Sequence, residues 1–373
     1  MRQVLGLDIN DDFIAAAVVR QRGQERKVVD WARRELGSSE VIAEGLAALL
    51  EDVKWAGGPV VCGISLAGVS LRNLSVPFTD RRNINQILPL ELEDQLIVPV
   101  HHQVIEYIIT EADEDSSRIL VAAMEKENLS KELEMLRAGG LDPAVLTLRN
   151  AALADSYRAS AALPRDFMLV DAGIHFITMV IVHNGRIVFM RQLPCPERIL
   201  TREPFTFTGG RAGIANFGEA MSCLEGLCRD IRHSLGVFRI DTEIEYQPEK
   251  ILLTGIMSGV AEFSDTFSEA LQLEVVTGDL QQAAGVTIEG EGFEAWDAAV
   301  MDHSLALALH GSSRKQIFNF RKGEFAPRRR LLTSRTQVAA AAAGAALILA
   351  VVLGMLAVDY RSLKNRYDQL GAG

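Results

Sequence analysis

Residues 167–173 read Phe167-Met168-Leu169-Val170-Asp171-Ala172-Gly173. Four apolar residues that run into an acid and then a small turn describe a buried strand whose carboxylate emerges where the chain reverses. Phe176–Val182 returns as a second strand, and the turn dipeptide Asn184-Gly185 leads into a third over Ile187–Arg191. The N-terminus has the same grammar. Val4–Ile9, containing Leu5-Gly6-Leu7-Asp8, is an apolar run; Asn10-Asp11-Asp12 reads as a turn, and Phe13–Arg20 as the returning strand. Two hairpins of one design, each opened by a strand that carries an Asp, predict a two-lobed α/β chain.

Around these hairpins the pattern changes three times. Val41–Leu50 has helical spacing and Pro59–Ile64 reads as a buried strand. From Ser65 to about Asn150 lies a strand over Val69–Val76, a helix over Asn83–Leu96 that Pro89 is expected to bend, and strands over Val104–Thr110 and Arg118–Met124. A helix over Leu129–Ala138 closed by Gly139-Gly140 and a strand over Leu141–Leu148 complete it. This is an inserted α+β piece. Later, Phe217–Leu235 reads as an amphipathic helix, Lys250–Thr254 as a strand running into Gly255, and Ala298–Leu309 as a small apolar helix. The division predicted is 1–64 for lobe I, 65–150 for the insertion and 151–316 for lobe II. It continues with 317–337 for a juxtamembrane peptide and basic linker, 338–358 for a membrane span and 359–373 for a short tail.

Composition excludes several classes. A net charge of −11 argues against a general nucleic-acid binder. Met1–Asn10 is not expected to be a signal peptide, because acids interrupt it early. Cys62, Cys195, Cys223 and Cys228 form no C-x-x-C pair, and no His stands at zinc-finger spacing, so free thiols and no metal site are expected. His101 and His102 are adjacent and would point to opposite faces of a strand.

Two Asp-bearing hairpins, together with Leu252-Leu253-Thr254-Gly255 as an adenosine-side turn, fit the actin-like (ribonuclease H-like) two-lobed ATPase architecture. In that architecture, paired hairpins clamp nucleotide phosphates through backbone N–H groups, and the acids act on magnesium or water. The nucleotide-site candidates are Asp8, Asn10, Asp171, Gly173, Thr254 and Gly255. Three departures argue against turnover. Asp11 and Asp12 place carboxylates where phosphate would approach, Ile174-His175-Phe176 replaces small or hydroxylated residues, and Ile256 stands where a second Gly is usual. The expectation is therefore no catalytic residue and no obligatory cofactor, with ATP and magnesium as the alternative.

The chain resembles the actin-like cytoplasmic domain of the GspL and PilM proteins of type II secretion and type IV pilus machines. The insertion carries the resemblance through Leu71-Arg72-Asn73-Leu74-Ser75-Val76-Pro77, Leu90-Glu91-Leu92-Glu93, Ile97-Val98-Pro99-Val100, Tyr107 and Leu120-Val121-Ala122-Ala123. Ala138-Gly139-Gly140-Leu141-Asp142-Pro143 is similar to the family's Ala-Gly-Leu-x-Pro exit, with one extra Gly. Ile317-Phe318-Asn319-Phe320-Arg321-Lys322-Gly323-Glu324-Phe325 resembles the Asn-Leu-x-x-Gly-Glu-Phe/Tyr segment before the membrane helix in GspL, with Phe320 in place of Leu. The resemblance implies that this peptide docks on the actin-like domain, here in cis.

Val338–Val358 contains no charged residue and spans roughly 30 Å as a helix, the thickness of a bilayer core. Arg328, Arg329, Arg330 and Arg335 precede it, which by the positive-inside rule keeps the N-terminal part in the cytoplasm of a single-pass inner-membrane protein. The resemblance then implies an assembly-platform scaffold that recruits the secretion ATPase (GspE-like). It would pair with GspM/GspF-like or PilN/PilO-like membrane subunits and form a homodimer. The alternatives are an active actin-like ATPase of a type IV pilus complex, resembling a PilM-PilN fusion, and a polymerising division-type tether. The tail from Asp359 to Gly373 is too short for the periplasmic domain of GspL, although Leu363, Tyr367 and Leu370 begin a helical stripe.

Overall fold

Long apolar strands alternate with helices that are themselves apolar, and this sets the layers. The computed structural model describes residues 2–10, 12–23, 25–36, 41–160, 163–194, 204–289, 293–313, 317–327, 343–344 and 349–362. In chain order, β1 (Arg2–Ile9), β2 (Phe13–Arg22) and β3 (Glu25–Glu35) precede α1 (Ile42–Asp52) and β4 (Val60–Ile64). Then come β5 (Val69–Val76), α2 (Arg81–Glu93), β6 (Gln103–Ala112), β7 (Ser117–Glu125), α3 (Lys126–Ala138), β8 (Val145–Leu148) and α4 (Arg149–Arg158). β9 (Phe167–Ala172), β10 (Phe176–His183), β11 (Arg186–Pro194), β12 (Phe205–Thr208) and β13 (Arg211–Ile214) lead into α5 (Phe217–Thr242). β14 (Lys250–Thr254), α6 (Ala261–Leu271), β15 (Glu274–Thr277), α7 (Leu280–Ala283), β16 (Thr287–Ile288) and α8 (Ala298–Ser312) complete the series.

Two sheets repeat one plan. The first has the order β16-β3-β2-β1-β4-β8 and the second β11-β10-β9-β14-β15. In each, three antiparallel strands are followed by two parallel ones, and the first sheet adds β16 parallel to β3 at its other edge. This duplicated plan is the one expected from the paired hairpins. β4, β9 and β14 are buried along almost their whole length, as strands covered on both faces must be. The first sheet recruits β8 and β16, so it reaches beyond the sequence division 1–64 into segments allotted there to the insertion and to lobe II. The inserted sheet itself is β5-β7-β6. One face of it buries Ile119 and Val121 against Ile84, Leu88 and Leu92 of α2, which continues through Pro89; the other joins the main core through Leu120 and Ala122.

Two helices lie between the large sheets. α4 follows β8 directly and leads to β9, and α8 is buried on nearly every side. α8 sits so close to β1 that a Cβ on Gly6 would fall 2.0 Å from the Ser304 carbonyl oxygen, so only glycine serves there. Sequence periodicity missed α4, because Ala151, Ala152, Leu153 and Ala154 are buried all round and leave no polar face. It likewise missed β3, the β12–β13 hairpin, α6 and β15. His101 and His102 lie on a single turn of 3₁₀ helix, with ring centroids 4.2 Å apart, and not on a strand.

Met1–Ala326 forms one unit and Pro327–Gly373 a second. In the second, residues 349–362 are helical and exposed. Among the described residues no helix is long and apolar enough to cross a membrane. Much of the expected span, 338–342 and 345–348, lies outside the described residues, as do Arg328, Arg329, Arg330, Arg335, Cys195, Leu363, Tyr367 and Leu370.

Candidate functional site

A cleft of about 220 Å³ opens between the two hairpin turns, lined by Asn10, Asp12, Gly173, His175 and Thr178 among others. Each turn is closed by its own backbone: Asn10 N–H donates to Phe13 O at 2.9 Å, and Gly173 N–H to Phe176 O at 3.0 Å. The two turns meet at the mouth, where His175 Nε2 lies 3.8 Å from Asp12 Oδ1. The two departures singled out in the sequence, the acid in one turn and the bulky triplet in the other, thus face each other.

Behind the cleft lies a buried charge cluster. Asp8, fully buried at the end of β1, and Asp171, 4 % exposed at the end of β9, belong to different lobes. Arg149, the first residue of α4, reaches both: Nη1 is 3.6 Å from Asp8 Oδ1 and Nη2 is 3.8 Å from Asp171 Oδ2. His303 of α8 places Nε2 3.0 Å from Asp171 Oδ2. Asn150 Nδ2 donates to the same oxygen at 2.6 Å, and Thr254 Oγ1 to Asp171 Oδ1 at 3.4 Å. Neither oxygen of Asp8 accepts a hydrogen bond. Burial alone would raise the Asp171 carboxyl, but His303, Arg149 and Asn150 together outweigh it and hold the group below the usual carboxylate range. For His303, burial pulls downward, and the facing Asp171 and Asp8 overcome it and raise the imidazole above its ordinary value.

A glycine lies close to each acid. Gly63 on β4 stands beside Asp8 in the parallel register, and a Cβ there would come 2.8 Å from Arg149 Cβ. Gly255, with φ of +83°, would place a Cβ 2.6 Å from Asp171 Oδ1. The sequence therefore leaves the room that the Arg149 side chain and the Asp171 carboxylate occupy. A magnesium–nucleotide does not fit these residues. The two acids that would serve the metal face a guanidinium and an imidazole instead, and the cleft mouth carries Asp12. The chemistry available is charge neutralisation between lobes. Ile256 is buried and starts a 3₁₀ turn, so the segment after Thr254-Gly255 serves packing.

The segment 317–325 forms a second site. β8 is the last strand of the first sheet, and this segment lies along its open edge. Phe320 N–H donates to Leu146 O at 2.9 Å, and Thr147 Oγ1 donates to Ile317 O at 2.9 Å. Asn319 Oδ1 accepts from Leu146 N–H at 3.4 Å and from Arg321 N–H at 3.0 Å, so its side chain does the work of a backbone carbonyl. Phe318, in the left-handed region with φ of 49°, and Phe320 are 2 % and 0 % exposed and belong to the main core; Phe325 packs partly buried against it. Arg321 Nη2 meets Asp142 Oδ1 at 2.7 Å. Lys322 reaches Glu106 at 2.5 Å, and Glu324 reaches Lys126 at 2.8 Å, so the segment also ties down the insertion. Gly323 takes φ of +54° at the closing 3₁₀ turn.

Sequence reasoning missed Arg149, His303 and Thr147. The available signal was a charged or polar residue inside an apolar run: Arg149-Asn150 within Ala144–Ala154, and Asp302-His303 within the small apolar helix.

Residues 17–170 match the family model of protein L of the type II secretion system. No curated protein matches the chain. Among solved structures, the chain is similar to a chain of the PilM-PilN type IV pilus biogenesis complex. The identity is 20 % over 83 % of this chain and 98 % of that one, with a TM-score of 0.69. It is also similar to the cytoplasmic domain of EpsL, an inner membrane component of the type II secretion system of Vibrio cholerae. Here the identity is 12 % over 87 % and 99 % of the two chains, with a TM-score of 0.45. The first likeness shows a common fold.

Proposed function

We propose that the chain is a GspL/PilM-like platform scaffold of a type II secretion machine, a reading supported by the match of residues 17–170 to the model of protein L of that system. In this reading the actin-like unit recruits the cytoplasmic secretion ATPase, and Val338–Val358 anchors it in the inner membrane with Arg328, Arg329, Arg330 and Arg335 on the cytoplasmic side. Membrane subunits of the GspM/GspF or PilN/PilO kind would then pair with the anchor, and a homodimer would form.

The observation that carries the reading is the seating of 317–325 on β8. Phe318, Asn319, Phe320 and Arg321 fix the place on lobe I from which the chain departs toward its apolar stretch. A pull on that stretch would be delivered to the edge of a sheet and, through Lys322 and Glu324, to the insertion. That is what a coupling scaffold requires. The reading has no hydrolytic step, which Arg149 between Asp8 and Asp171 supports.

The test is co-purification. The full chain, extracted in mild detergent from cells that make the hexameric secretion ATPase, is expected to retain that ATPase. Loss of the ATPase from a correctly folded full chain would remove the recruitment role.

A further inference from the structure

We propose that Arg149 is a built-in replacement for a divalent cation: its guanidinium bridges Asp8 and Asp171, so that the two lobes are joined without metal or nucleotide. The inference goes beyond the platform role and stands whichever machine the protein serves.

Four observations converge on it. First, the bridge is between lobes. Asp8 ends the first strand of one sheet and Asp171 the first strand of the other, and each lies within ion-pair distance of a different terminal nitrogen of the same side chain. Second, the Asp8 carboxylate has no hydrogen-bond donor of its own: neither oxygen accepts a hydrogen bond, although the residue is fully buried. A dry, acceptor-rich group of that kind needs a cation beside it. Third, the backbone leaves room for the bridge. At Gly63, the register partner of Asp8, a Cβ would come 2.8 Å from Arg149 Cβ and from Leu307 Cδ1. Fourth, a second basic side chain stands at the same place: His303, itself buried, lies 3.0 Å from Asp171 Oδ2.

Position along the chain gives the arrangement its meaning. Arg149 opens α4, the helix through which the chain passes from β8 of the first sheet to β9 of the second. A cation carried on that helix holds the lobes at a fixed setting. A bound nucleotide would come and go, and the lobes with it. The cleft between the hairpin turns, with Asp12 and His175 at its mouth, then lies in front of a clamp that is already closed.

The test uses Mn²⁺ as the probe and the full chain in detergent. The wild-type protein is expected to show no saturable, EDTA-reversible rise in melting temperature with Mn²⁺, and no bound-Mn²⁺ signal by electron paramagnetic resonance. Arg149→Ala empties the bridge and leaves two facing carboxylates. Mn²⁺ should now raise its melting temperature by several degrees and give a bound-ion signal, and both effects should vanish in Arg149→Ala/Asp8→Asn. Should Arg149→Ala fail to fold without metal, it must fold when Mn²⁺ is present throughout purification. The proposal is overturned by Mn²⁺ bound to wild type in a manner lost in Asp8→Asn. It is equally overturned by an Arg149→Ala protein that Mn²⁺ neither rescues nor stabilises.

Discussion

The charge cluster behind the cleft and the segment along β8 solve the same problem by opposite means. In both, a place that could take something from outside is filled by the chain itself. The cluster does it with full charges in a dry interior: Asp8 is completely buried, and its compensation is coulombic. The segment does it with two phenyl rings and a few backbone hydrogen bonds at a sheet edge. The difference lies in what a vacancy would leave. An emptied cluster exposes charge to a low dielectric, whereas an emptied edge exposes apolar surface and backbone groups that water or another peptide can cover.

The strongest way to break this contrast is to neutralise the bridge. Arg149→Met leaves two buried carboxylates without the guanidinium between them and should destabilise the first unit by about 3–5 kcal/mol. Adding Asp8→Asn and Asp171→Asn removes the charges that needed a cation, and most of the loss should return. Denaturation followed by tryptophan fluorescence reads this unit alone, because Trp31, Trp55 and Trp296 all lie within Met1–Ala326. A triple variant no more stable than Arg149→Met would show that packing, and not charge, is what Arg149 supplies.

The edge responds differently. Phe320→Ala should cost about 3 kcal/mol for the lost ring and the cavity left behind, while Phe320→Leu, the residue that the family pattern has there, should cost less than about 1.5 kcal/mol. A synthetic peptide spanning Ile317–Ala326 should restore stability to a chain lacking those residues, since the edge of β8 would be vacant. Equal losses for Ala and Leu would mean that the ring's shape, and not its apolar area, seats the segment.

The same contrast explains what could be read from the sequence. The hairpins were legible because Asp8 and Asp171 end short continuous apolar runs beside turn residues, and the segment was legible because Phe318, Phe320 and Phe325 are large apolar groups in an otherwise polar stretch. Both are local patterns. Arg149 and His303 were not legible, since their meaning depends on strands far away in the chain that the fold brings to them. Nor was the place of β8, a four-residue strand whose membership of the first sheet is fixed by pairing with Val61–Ile64 and not by its own composition. The nucleotide departures were visible as residues, but their shared consequence, a turn-to-turn contact between Asp12 and His175, appears only in three dimensions.

A smaller effect sharpens the comparison from within α8. Asp302 is adjacent to His303 but turns to a region without a bridging cation. Its Oδ2 accepts from Tyr157 Oη at 2.5 Å and from Leu280 N–H at 3.0 Å, while Oδ1 has no partner. Burial is the largest influence and, with nearby Asp279, pushes the carboxyl up to about 7, against the downward pull of Tyr157, Leu280 and His303. The folded-state value lies above the ordinary 3.8, so the folded protein holds the proton more tightly. The stabilisation is complete below the unfolded value and is lost as pH rises through about 7. Asn at this position cannot ionise yet keeps an oxygen for Tyr157 and Leu280. The stability of Asp302→Asn relative to wild type should therefore rise by about 2 kcal/mol between pH 5 and pH 8, read from denaturation at each pH. The same substitution at Asp171, whose carboxylate is held ionised by its cationic neighbours, should give no such rise. If Asp302→Asn proved flat as well, its carboxyl would be as well compensated as Asp171, and the distinction between a bridged and an unbridged buried acid on these elements would fail.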